Sequence, residues 1–425
     1  MKIEQNTHFE VGAAGLNATN KTNPVVAKMV AAWENENARR ALKGSGLSLV
    51  ALSLAACGSG STTTTATTTT TTTTPVAQTF TLTAGIDTVV GTAAGDTVNA
   101  GLNTNSTQTL QGLDSIDGGD GTDTLNVVFN TAGTYAPTLT SIETLNLTTS
   151  AAITLDLVGS TSVATIKSTG STGTVTVNNI ASTSADITIQ STAVAHTLDF
   201  ANSAVTGAAD AVTVNVSGMT AGVLTVDAGI EVLNLVSAGS ANTIATLTAA
   251  GANTLNISGA QAMTITAANT VSEIINASTA TGAITVTSNN ANATTITTGS
   301  AADAVTLTGG TAVTETISTG AGNDTVTFTA NLANADVLNG GDGTDVLVGT
   351  SANLNALTST TTTSNITNFE TVSVSDELDT SAGFDISDVQ EDGISTLNLT
   401  HAAASATNIT NGAEIITGEA GTFTI

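Results

Sequence analysis

From about residue 80 onward the chain alternates apolar and polar residues in short bursts. "TLNIS" (254–258), "MTITA" (263–267), "IINAS" (274–278), "ITVTS" (284–288), "TTITT" (294–298) and "AVTLT" (304–308) start nine to eleven residues apart, and "TVTFT" (325–329) resumes the beat. Earlier segments keep it: "ITLDL" (153–157), "TVTVN" (174–178), "DITIQ" (186–190) and "VTVNV" (212–216). With a period of two, Val, Ile and Leu fall on one side of each segment and Thr, Ser and Asn on the other, as in a half-buried strand. Clusters of Gly, Asn, Ser and Ala between them are turn chemistry. A unit of about ten residues is one strand plus a corner, and two units make a coil of about twenty. One coil cannot bury its apolar face, but a stack of coils can. The pattern predicts an all-β chain, a β-solenoid with rungs about 4.8 Å apart. β-Sandwich domains also use strands at this spacing and are the alternative. The long run of constant spacing, without a long Greek-key connection, favours the solenoid.

Composition supports a thin, strand-built interior. Aromatic residues are 2% of the 425, with one Trp and one Tyr. A compact enzyme of this length would bury far more aromatic surface. Charge is strongly asymmetric. Of the seven bases, Lys2, Lys21, Lys28, Arg39, Arg40 and Lys43 precede residue 44, and only Lys167 follows. Beyond residue 57 there are 30 acids and one base, a net charge of −29. Such a chain repels phosphates, which excludes a nucleic-acid partner. It attracts cations and repels its own copies until they bind.

The basic start leads into "GSGLSLVALSLAACGSG" (44–60), which reads as an export signal. Its apolar run is too short to span a bilayer as a helix. "LAAC" (54–57) resembles a bacterial lipobox. That resemblance implies a lipid anchor on Cys57 as first mature residue, and Gly58 after it implies sorting to the outer membrane of a Gram-negative bacterium. "ARRALK" (38–43) loosely resembles a twin-arginine signal. Two readings compete: an amphipathic helix over "NPVVAKMVAAWENENARRALK", and a free thiol at Cys57. With one cysteine, no internal disulfide can form. The threonine tract 61–74 cannot bury apolar surface and reads as a solvated tether. The predicted organisation is a leader over 1–57, a tether over 58–78, an acidic-turn segment over 79–130, solenoid repeats over 131–319, and a second acidic-turn segment with a C-terminal β region over 320–425.

Two acidic glycine turns stand out, "IDGGDGTDTLNV" (116–127) and "LNGGDGTDVLVG" (338–349). Asp114 and Asp123 are nine apart, as are Asp336 and Asp345, and Asp87 and Asp96. "GAGNDTVTF" (320–328) is a partial copy, with Gly322 and Asp324. The pattern is Gly-Gly-x-Gly-x-Asp-x-apolar-x. Glycines let the backbone turn tightly, and carbonyls with an Asp carboxylate can then face a hard cation. The runs Gly118-Gly119-Asp120-Gly121-Thr122-Asp123 and Gly340-Gly341-Asp342-Gly343-Thr344-Asp345 resemble the RTX family of secreted bacterial calcium-binding repeats. With the Thr-, Ala- and Val-rich strands, the chain also resembles bacterial surface-layer proteins and related adhesins. The resemblance implies Ca²⁺ held by Asp87, Asp96, Asp114, Gly118, Gly119, Asp120, Gly121, Asp123, Gly322, Asp324, Asp336, Gly340, Gly341, Asp342, Gly343 and Asp345. Because each run has at most two units, isolated calcium staples are expected rather than a continuous calcium roll. The competing reading is that each Asp only hydrogen-bonds its own turn. The acidic stretch 375–392 has no ligand spacing and reads as a solvated loop or interface.

Catalytic motifs are absent from the sequence: there is no nucleophile elbow, zinc-protease helix or phosphate loop. His8, His196 and His401 stand alone. The expected function is a non-catalytic, calcium-stabilised surface protein that self-associates into a layer or coat. A tethered adhesin, with a cell-envelope glycan as partner, is the alternative, and a polysaccharide-cleaving solenoid the weaker one. Export would use the lipoprotein route or the type I route common in the RTX family. The chain is expected to be a monomer or loose species in chelator, and to order and associate in millimolar calcium.

Overall fold

The computed structural model describes residues 74–425 apart from 270–272, 290–294, 309–313, 330–331, 355–356, 358–364, 377–383, 386–392, 402–407, 412–413, 418–420 and 425. The leader, Cys57, most of the tether and most of the stretch 375–392 lie outside the described residues.

The chain is nearly all strand and winds into a β-solenoid of about 13 turns, with about 21 residues per turn. Val76–Ile425 form one compact unit. The rungs begin with β1 (Thr79–Thr81), β2 (Thr88–Val90), β3 (Thr97–Ala100), β4 (Ser115–Asp117) and β5 (Thr124–Phe129). β1 pairs with β3, β3 with β5 and β2 with β4, all parallel. Strand pairing then runs without a break through the middle rungs to Thr396–Leu399. Parallel stacking of strands about one rung apart in sequence is what distinguishes this array from a sandwich of antiparallel hairpins.

Register explains the alternation. On one face Val98, Leu125, Leu145, Ile166, Ile187, Val214, Leu235 and Ile257 are successive partners and form one buried column. On the second face Val305, Val326, Leu347, Val372 and Leu397 do the same. Slipping a strand by one residue would turn its whole apolar set outward, so the buried column holds the register. Outward positions carry Thr and Asn. Asn146 donates to Asn126 (2.8 Å), and Asn126 to Asn99 (3.0 Å), along the outer wall.

Several buried strand positions break the apolar rule, Ser168, His196 and Asn242 among them. His196 lies between Val175 and Leu224 in its column and is buried. Its Nδ1 faces the Val194 carbonyl (3.2 Å), so Nδ1 carries the proton, and Nε2 accepts from Ser168 Oγ (2.9 Å). Ser168 in turn touches Ser171 (3.1 Å). Burial lowers the His196 pKa, which keeps the ring neutral.

The two ends differ. At the C-terminal end Gly421–Thr424 adds antiparallel to Thr396–Leu399 and ends the parallel stack on that face, while Ile366–Thr367 is the last paired strand of the other among the described residues. At the N-terminal end β1 and β2 are edge strands, each paired on one side only among the described residues. No helix among the described residues is long and apolar enough to cross a membrane.

Candidate cation sites at the acidic corners

The nine-residue spacing of acids is the step from one strand of a rung to the next. Asp87 precedes β2 and Asp96 precedes β3; Asp114 precedes β4 and Asp123 precedes β5. Likewise Asp336 precedes Val337–Asn339 and Asp345 precedes Val346–Gly349, which lie on different faces. Each acid therefore occupies a corner, where the chain turns into the next strand.

At these corners the carboxylates form ladders along the solenoid axis. Asp96 Oδ1 accepts the Gln78 N–H (2.6 Å), Asp123 Oδ1 accepts the Asp96 N–H, and Glu143 Oε2 accepts the Asp123 N–H (2.8 Å). A second ladder runs from Asp303, which accepts the Ile284 N–H (2.7 Å), through Asp324 and Asp345 to Glu370. Its steps are 2.8, 2.7 and 2.7 Å. Shorter pieces join Asp114 to the Asp87 N–H (2.9 Å) and Asp336 to the Glu315 N–H (3.0 Å). Several acids also hold their own turn: Asp96 accepts from Thr92, Asp114 from Gln111 and Asp336 from Ala333. The amide at each corner cannot reach a strand partner, and a carboxylate one rung further along satisfies it. A hydrogen bond to a charged acceptor contributes about 1.5–3 kcal/mol.

These bonds leave oxygens over. Asp123 Oδ2, Asp324 Oδ2, Asp345 Oδ2 and Glu315 Oε2 are buried and without a hydrogen-bond partner. Glycine makes room for two of them. A Cβ on Gly118 would lie 2.6 Å from Asp123 Oδ2, and one on Gly340 would lie 2.8 Å from Asp345 Oδ2. The rest of each glycine turn stacks on the turn of the preceding rung. Ala321–Gly322 pairs with Asp342–Gly343, and the Asp342 N–H donates to the Gly320 carbonyl (2.8 Å). At the other end the Asp120 N–H donates to the Thr92 carbonyl (3.0 Å). Gly119, Gly121, Gly341 and Gly343 have φ of 92°, 123°, 91° and 151°, where glycine alone is unstrained.

Of the predicted residues, the structure stacks Asp87 with Asp114, Asp96 with Asp123, and Asp324 with Asp345, and it sets the turns of Gly322 and Gly343 one above the other. It leaves Asp120 and Asp342 exposed at the turn tips. Asp336 meets Glu315 rather than another predicted ligand. Glu143, Asp303, Glu315 and Glu370 extend the ladders and lie outside the glycine pattern. Their signal is an acid immediately before a strand: "DTLNV" at 123 recurs as "ETLNL" (143), "DAVTL" (303), "ETIST" (315) and "ETVSV" (370).

The electrostatics follow from burial without a counter-charge. Desolvation, with the neighbouring Asp303 and Asp345 charges adding to it, raises Asp324 to about 6. Desolvation and the adjoining Asp336 carboxyl raise Glu315 to about 8. Burial likewise raises Asp114, Asp123, Asp303 and Asp345. Asp96 goes the other way: burial acts to raise it, but hydrogen bonds from Gln78 and Thr92 outweigh that and lower it. Among the described residues no three His, Cys, Asp or Glu side chains converge as a side-chain metal cage would. A cation held here would need backbone carbonyls of the stacked turns beside the carboxylates, a donor set suited to Ca²⁺. No protein-family model matches the chain, and no curated protein is similar to it.

Proposed function

We propose that the protein is a non-catalytic structural component of the cell surface, stabilised by calcium and assembling into a layer or coat. The observation that carries this reading is the set of buried, unpartnered carboxylate oxygens of Asp123, Asp324 and Asp345 in stacked glycine turns. A row of like charges in a wall needs a proton or a cation beside it. Ca²⁺ takes six to eight oxygens with flexible geometry, and extracellular modules bind it at about 10⁻⁴–10⁻³ M. In this reading Ca²⁺ staples the rungs at 87–123 and 322–345. It also offsets the net charge of −29 that opposes contact between copies. Cys57 would carry a lipid and residues 58–78 would tether the rod to the outer membrane. Electron microscopy of the purified protein tests the assembly directly. Ordered sheets or fibres in calcium, dissolved by chelator, are expected; separate rods in both conditions would exclude a layer.

The specificity of the corners has its own test. Asp345→Ala should remove a calcium-binding event in titration calorimetry, because it deletes a buried oxygen pair at a stacked turn. Asp376→Ala removes an acceptor of the Ser351 N–H (2.6 Å), outside any glycine turn, and should leave calcium binding unchanged. Equal losses in both variants would mean that bulk charge, and no specific site, attracts the ion.

A further inference from the structure

We propose that the N-terminal end of the solenoid is the surface through which two copies of the chain pair, edge to edge. Three independent features meet there. The first is an open sheet edge. Gln78 and Leu82 turn their backbone groups toward β3, through Thr97 N–H to Gln78 O and Leu82 N–H to Asn99 O (both 2.9 Å). By strand alternation Thr79 and Thr81 therefore point N–H and C=O outward. On β2, Ser115 N–H to Asp87 O and Gly91 N–H to Asp117 O fix the same pattern, so Thr88 and Val90 point outward. No strand among the described residues takes up these groups. An open edge of this kind is a template for another strand.

The second feature is apolar exposure. Val76, Ile86, Val90 and Leu113 are 68, 66, 69 and 73% exposed and are the four most exposed large apolar residues described. All four belong to the first rungs. The third feature is charge. Residues 44–86 contain no Asp, Glu, Lys or Arg, although the chain beyond residue 57 has a net charge of −29. The first acids, Asp87 and Asp96, hold the amides of Thr83, Thr92 and Gln78. Asp96 is buried and Asp87 half-buried, so this end sets few carboxylates against a second copy.

A second copy fits all three features. A two-fold axis would present identical open edges and the same neutral, apolar rim to each other, as an isologous contact requires. The contact needs no calcium, and it changes the expectation for the chelated protein from monomer to dimer. It goes beyond the calcium-assembly reading, which concerns the acidic walls.

The test is the mass of the full chain in solution by light scattering coupled to size exclusion, in chelator and at physiological salt. The wild type is expected at twice the 41.7 kDa of the chain. Thr81→Pro removes one outward N–H, a position where an edge strand accepts proline, and Val90→Lys places a charge on the rim. Both variants are expected as monomers with unchanged strand content by circular dichroism. Val128→Lys, on an exposed position of β5, is expected to remain a dimer. A monomeric wild type, or variants that dimerise as the wild type does, would overturn the proposal. If Thr81→Pro loses strand content, Val90→Lys decides alone. A dimer in chelator that fails to grow in calcium leaves this contact standing and removes the layer reading; the reverse removes only this contact.

Discussion

In chelator, the melting temperature should rise as the pH is lowered from about 9 to about 6.5, and calcium should abolish that rise. A carboxyl whose folded pKa is raised binds its proton in the folded state first. Its contribution to stability is complete below the unfolded pKa and is lost as pH climbs through the folded value. Glu315 titrates near 8 and Asp324 near 6, with Asp114, Asp123, Asp303 and Asp345 also shifted upward. Lowering the pH through this window therefore relieves buried like charges. A tenfold difference in proton affinity between the folded and unfolded chain corresponds to about 1.4 kcal/mol. Water near the corners reduces the sum to a few kcal/mol, or on the order of several degrees. His196 acts in the opposite sense and only below about 6.5, where the unfolded ring takes a proton that the buried ring refuses. His196→Gln should extend the rise to lower pH. With calcium bound, the cation does the work of the protons and favours the ionised carboxylates. Melts followed by circular dichroism, with and without calcium at matched ionic strength, read both curves. Superimposable curves would show that no cation engages these carboxylates.

Gly341→Ala should detach the C-terminal rungs. The backbone at Gly341 has φ of 91°, and a Cβ there would lie 1.8 Å from the Gly320 carbonyl oxygen. That oxygen already accepts the Asp342 N–H, so it cannot withdraw without losing the bond between the two turns. Strain and clash together cost on the order of 3 kcal/mol or more. A solenoid rung touches only its neighbours, so the damage should stay local. Hydrogen exchange should show lost protection around 320–350 and retained protection around 97–149. Gly101→Ala adds a Cβ in open space and should leave both regions unchanged. Uniform loss of protection in Gly341→Ala would mean that the stack unfolds as a single unit.

The ladders also account for how much of the site is legible in the sequence. "DTLNV" at 123 and "DVLVG" at 345 stand out because glycines frame them; "ETLNL" at 143 and "DAVTL" at 303 repeat the acid before a strand without glycines to frame it. Both kinds place an acid in the same corner. What they share in the sequence is an acid immediately before a strand; that these acids meet one another is visible only once the rungs are stacked.

Local chemistry along the chain therefore determined the strand period, the apolar side of each strand, the rung of about twenty residues and the tight turns at Gly118–Gly121 and Gly340–Gly343. Each of these depends on residues within a few positions of one another. The tertiary structure decided what those elements meet. It set Asp324 beneath Asp345, and Asp96 beneath Asp123, across 21 and 27 residues of chain. It buried His196 in an apolar column and left β1 and β2 as open edges. Pairing between rungs is fixed by register and by the length of each intervening loop, and it is this stacking that turns a polar corner acid into a buried carboxylate with an oxygen left over.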